Sequence, residues 1–108
     1  MARYLFIESR DPYDSADSPH FLEMVKGVGM RNGGATLFLV QNGVLAARDG
    51  ALHSERYGDL ARSGVNVLAD SFSLRERAIG TVADGVRQAE IDNLVDLLME
   101  PGTKAVWH

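Results

Sequence analysis

Between Val65 and Gly80 the chain changes its periodicity within a few residues, and this change limits what it can fold into. Val65, Val67 and Leu68 form an apolar run too short for a helix and rich in β-branched residues, the pattern of a buried strand. At Asp70 the run stops. Ser71-Phe72-Ser73 and then Leu74-Arg75-Glu76-Arg77 read as a helix beginning at Ser71 or Ser73. A strand that ends in an Asp/Ser cluster and runs into a helix is a βα corner. In open α/β sheets, ligands bind outside the carboxyl ends of such strands.

The rest of the chain repeats this grammar. Tyr4 to Ile7 has no polar break, as in a strand buried on both faces. It ends at Glu8-Ser9 and opens into the polar stretch Arg10–Asp17, longer than the roughly two to six residues usual for a βα connection. Such a loop serves function or is a plain surface excursion, and its residues fit both. Ser18-Pro19 predicts a helix start, with Ser18 as N-cap and Pro19 at the first helical position. Phe21, Leu22, Val25 and Val28 recur at helical spacing, and Asn32-Gly33-Gly34 ends the helix. Gly27 and Gly29 weaken it but let it lie close to a neighbour. They make no nucleotide-binding fingerprint, because the third glycine is missing and the run closes a helix instead of opening one.

Ala35 to Val40 is the clearest strand, and Gln41-Asn42-Gly43 forms a second polar corner. Val44 to Ala47 turn helical, and His53 to Ser63 predicts a short helix stopped by Gly64. After a loop from Ala78 to Gly85, Val86 to Ala89 is a fourth strand. Ile91, Leu94, Val95 and Leu98 fit the helical template i, i+3, i+4, i+7, with Pro101-Gly102 as terminator, and Lys104 to Trp107 is a last strand. The order β-α-β-α-β-α-β-α-β over residues 1–108 predicts one domain: a doubly wound, mostly parallel five-stranded sheet with helices on both faces. Glu8, Ser9, Asn42, Asp70 and Ser71 then gather on one edge. With Arg10 and Ser73 they are the candidate ligand-binding residues.

Charge and composition exclude several functions. The net charge is −4, from 11 basic and 15 acidic residues, and the only lysines are Lys26 and Lys104. No basic stripe exists to attract phosphate backbones, so no direct nucleic-acid binding is expected. The chain contains no cysteine, which removes disulfides, thiolate metal sites and thiol nucleophiles. His20, His53 and His108 lack ligand spacing, so no metal site is expected, and no motif calls for a cofactor. The apolar run near the N-terminus is too short for a signal peptide or a membrane span, which predicts a cytoplasmic protein away from membranes. Trp107 and Tyr4 read as core or interface aromatics.

Asp70 has two roles open to it. It can cap the helix that follows, which is the simpler one, or present a carboxylate to a cationic or hydroxylated ligand. Ser71 and Ser73 share that ambiguity, and with no histidine near them no catalytic triad is assigned. A phospho-receiver domain would share this architecture. However, Lys104 opens the last strand where such a domain has its lysine at the far end, and Gln88-Ala89-Glu90 lacks the expected Ser/Thr.

The segments FLVQNGV (Phe38 to Val44), VLADSFSLRERAIG (Val67 to Gly80) and the ending KAVWH stand in an order and spacing that resemble the DsrE/DsrF/DsrH family, which includes the TusB, TusC and TusD sulfur-relay proteins. That resemblance implies a flavodoxin-like domain assembling into trimer-based hexamers. It also implies a cysteine at the end of the central strand that carries sulfur as a persulfide, followed by an Arg-Gly pair. Setting Arg77-Ala78 on that pair places Asp70 at the cysteine position. A carboxylate cannot hold a transferable sulfane sulfur. The resemblance thus implies a non-catalytic subunit or scaffold in sulfur trafficking, a homo-oligomer (trimer or hexamer) with a cysteine-bearing sulfur carrier as partner. The alternative is a small-molecule-binding or enzymatic domain using the strand-edge crevice around Asp70.

Overall fold

The protein is described by a computed structural model over residues 3–108; Met1 and Ala2, the head of the N-terminal run, lie outside the described residues. Strands β1 (Arg3–Glu8), β2 (Ala35–Leu39), β3 (Val65–Asp70), β4 (Val86–Ala89) and β5 (Thr103–Trp107) form one sheet in the order β4-β3-β2-β1-β5. Every neighbouring pair is parallel. Helices α1 (Ser18–Asn32), α2 (Glu55–Arg62), α3 (Ser71–Glu76) and α4 (Ile91–Met99), with a 3-10 helix over Gln41–Ala47, make the connections. This is the predicted flavodoxin-like, doubly wound architecture, and its sheet is wholly parallel.

The handedness of parallel crossovers explains the two layers. From β1 to β4 each strand is added on the same side of its predecessor, so right-handed connections keep the intervening helices on one face. The step from β4 to β5 runs back across the sheet, which puts α4 on the other face. Alternate strand residues separate accordingly. Phe6, Leu37, Leu39 and Val67 pack with Phe21, Val25, Tyr57 and Leu60, while Leu5, Ile7, Phe38 and Val40 pack with Leu94.

Local predictions meet the structure unevenly. Gly33 ends α1 in the left-handed conformation, at φ 75°. Gly29 serves close packing inside the chain: a Cβ there would lie 2.7 Å from Val65 Cγ2, whereas at Gly27 it would meet only the flexible Arg31 guanidinium. Ser18 is not the N-cap. The cap position falls on Asp17, already helical in its backbone and with no side-chain cap, and Ser18 Oγ is buried without a partner. The Phe21 amide donates to the Asp17 carbonyl at 3.0 Å, the first i→i−4 bond of the helix.

Helix α4 forms where its periodicity predicts, opened by a capping box between Glu90 and Asn93. Its apolar arc is wider than its contact with the sheet. Leu94 is buried and Leu97 packs partly against the sheet, but Ile91, Val95, Leu98 and Met99 are exposed. Lys104 pairs with Tyr4 at the start of the sheet, far from the carboxyl edge, as the comparison with receiver domains requires. Among the described residues, no helix is long and apolar enough to cross a membrane.

Candidate functional site

The connection after β3 goes to α3 on one face of the sheet, and the connection after β4 goes to α4 on the other. Adjacent strands whose connections leave in opposite directions open a crevice at their carboxyl ends. A cavity of about 530 Å³ lies there, with Asp70, Ser73 and Arg77 on one side and Ile91, Leu94 and Trp107 on the other.

Its floor is a chain of hydrogen bonds started by Asp70. The Oδ2 atom caps α3, accepting the Ser73 amide at 3.0 Å and the Ser73 hydroxyl at 2.7 Å. Ser73 Oγ in turn accepts the Gln41 amide at 2.8 Å. That bond holds Gln41 in the left-handed region, at φ 52°, where the chain turns from β2 into the 3-10 helix. A non-glycine residue held there stores backbone strain, and such strain clusters at functional sites. Arg77 ties the corners together: its Nε and one terminal nitrogen donate to Asn42 Oδ1 at 3.1 and 2.9 Å, and its other nitrogen donates to the Ser73 carbonyl at 3.2 Å. The second carboxylate oxygen, Asp70 Oδ1, is buried without a partner, and Asp70 as a whole is 5% exposed.

The predicted edge residues divide into two groups. Asp70, Ser73 and Asn42 meet at the crevice. Glu8, Ser9 and Arg10 stand at the end of β1, where Glu8 is 1% exposed and faces His108. The His108 Nδ1 atom lies 2.9 and 3.0 Å from the two Glu8 oxygens, and the Arg10 amide donates to Oε1 at 2.8 Å. The His108 ring stacks on Phe21 with centroids 4.7 Å apart, and Ser9 Oγ donates to the His108 carbonyl at 3.1 Å. Burial, with the Glu8 carboxylate adding to it, pushes the Tyr57 phenol well above its ordinary range. Ser9 and Arg10 also border a second hollow with Asn42 and the acidic loop Asp11–Asp17. Ser71 is buried, its hydroxyl unpartnered, and takes no part in lining the crevice.

Sequence reasoning missed Gln41, Phe72, Ile91 and Trp107 as lining residues, and missed His108 as the partner of Glu8. Phe72, apolar between two serines and 58% exposed, carried the one local signal that could have been used.

The fold and site thus define a small, wholly parallel α/β domain with a crevice at the carboxyl edge between α3 and α4. Two solved structures share that fold over the full length of both chains. The chain is similar to the ychN protein from E. coli, with a TM-score of 0.86 and 16% identity over 100% of each chain. It is also similar to MTH1491 from Methanobacterium thermoautotrophicum, titled a protein of unknown function, with a TM-score of 0.78 and 19% identity over 100% of each chain. At such identities the likeness establishes the fold. No family model and no curated protein matches the chain.

Proposed function

We propose that this protein is a DsrE-like subunit of intracellular sulfur trafficking that works in the cytoplasm beside a cysteine-bearing carrier and holds no persulfide itself. The observation that carries the proposal is Asp70. It stands at the end of β3 and caps α3, the corner to which the resemblance assigns the sulfur-carrying cysteine, in a chain without cysteine. The alignment draws support from Ala78. Set on the glycine of the Arg-Gly pair, it adopts φ 56°, a conformation that glycine takes without steric cost.

The test is intact-protein mass measurement after incubation with a persulfide donor. The unmodified protein gains no sulfur. Asp70→Cys gains it faster than Ser63→Cys, because amides at the start of α3 favour a thiolate there. Loss of the cap costs the variant about 0.5–2 kcal/mol. Equal rates for the two variants overturn the placement of Asp70.

Assembly belongs to the same proposal. Val95, Leu98 and Met99 leave an apolar flank on α4, apart from the crevice wall. A trimer or hexamer formed from copies of this chain covers that flank. Light scattering at micromolar concentration should give an oligomer mass, and Val95→Glu with Leu98→Glu should reduce it to the monomer. A monomer mass for the unmodified protein refutes the assembly.

A second reading is favoured by the unpartnered Asp70 Oδ1: the crevice is a small-molecule site.

A further inference from the structure

We propose that the crevice binds a small organic ammonium ion, its head group on Asp70 and its apolar body against Trp107, Phe72 and Ile91. This rests on the second reading, that the crevice takes a small molecule, and adds the chemical class of that molecule.

Charge selects the head group. Asp70 is almost wholly buried, and its Oδ1 receives no hydrogen bond. A buried acceptor without a donor is unfavourable, and a charged one more so. The neighbouring donors are already committed. Ser73 gives its amide and its hydroxyl proton to Oδ2, and Arg77, the one cation among the described residues that line the crevice, is engaged by Asn42 Oδ1 and the Ser73 carbonyl. Glu76 supplies a second carboxylate to the lining, so acidic groups outnumber basic ones. Such a site repels carboxylates and phosphates and completes itself with a cationic donor.

The walls select the body. Trp107 is 66% exposed, and with Phe72 and Ile91 it gives the crevice an apolar, aromatic side. Aromatic faces attract ammonium groups, and tryptophan does so best. A volume of about 530 Å³ lies within the range of small-molecule sites.

The chain contains one tryptophan, so its intrinsic fluorescence reports from the crevice wall. The experiment titrates 2-phenylethylamine, 2-phenylethanol and phenylacetate into the unmodified protein and into Asp70→Asn. Asparagine is as good an N-cap as aspartate, so this variant keeps α3 while losing the charge, and circular dichroism checks its fold. The expected result is a saturable fluorescence change with the amine, weakened about tenfold or more in Asp70→Asn, and no saturation with phenylacetate. Equal affinity for the alcohol and the amine, or unchanged amine binding in Asp70→Asn, overturns the cationic class and leaves the crevice as a ligand site. Absence of saturation with all three probes overturns both.

Discussion

Gly43→Ala should cost this protein at least about 3 kcal/mol, the upper end of what overpacking usually does and a large share of the roughly 5–15 kcal/mol that holds a domain folded. A Cβ at Gly43 would lie 2.2 Å from the carbonyl oxygen of Glu8 and 3.0 Å from its carbon. Both are main-chain atoms, so no side chain can swing aside. The carbonyl cannot retreat either, since it accepts the Val40 amide at 3.0 Å and belongs to a strand paired on both sides. Nor can the 3-10 helix lift away freely, because the Gln41 amide at its start is held by Ser73 Oγ. The variant must break one of these attachments. Urea denaturation followed by circular dichroism measures the loss, and Gly80→Ala, at a loop glycine outside the left-handed region whose Cβ would meet nothing, is the control for the change of residue type alone. A Gly43 variant as stable as that control would show that the two segments separate more easily than their contacts indicate.

The second large effect is expected at His108. Its ring provides the side-chain partner of a carboxylate that is almost completely enclosed. Removing the hydrogen-bond partner of a buried group leaves that group unsatisfied, which costs about 1–3 kcal/mol and more for a carboxylate. His108→Ala should approach that loss, because Glu8 then keeps only the Arg10 amide. The loss of stacking on Phe21 contributes as well, and a double variant separates the two. Glu8→Leu in the His108→Ala background removes the stranded charge and should recover a substantial part of the stability, since apolar replacement of a buried pair is often neutral. Chemical denaturation of the two variants decides the matter. If the double variant is no more stable than His108→Ala, packing on Phe21 and not the enclosed charge holds this end of β1.

Much of the crevice was legible in the sequence because its principal bonds are local. Asp70 caps an amide only three residues ahead, and Asp followed by Ser-Phe-Ser after a β-branched run signals that geometry without knowledge of the rest of the fold. Arg77 was singled out by its place in the family alignment, and the structure shows what it holds: Asn42, 35 residues earlier in the chain. Ser18 shows where local inference fails. Its type and the proline after it suit an N-cap, but the helix begins one residue earlier, the Asp17 carbonyl takes the Phe21 amide, and the hydroxyl ends buried.

The sequence by itself determined the elements and their alternation. The apolar runs of β1, β2 and β3 and the 3.6-residue period of α4 depend on residues within one or two turns of each other. From that alternation follow a parallel sheet and helices on two faces. Tertiary structure alone decided which residues meet. The order β4-β3-β2-β1-β5 lays the end of the chain beside β1, so His108 reaches Glu8 across 100 positions of sequence. It presses Gly43 onto the Glu8 backbone and brings Gln41 to Ser73. It also leaves one helix to cover the second face, so that Ile91, Val95, Leu98 and Met99 of α4 stay exposed. Periodicity records that a residue will be buried or exposed on its own element. The partner it meets is set by strand order and packing, which are properties of the whole chain.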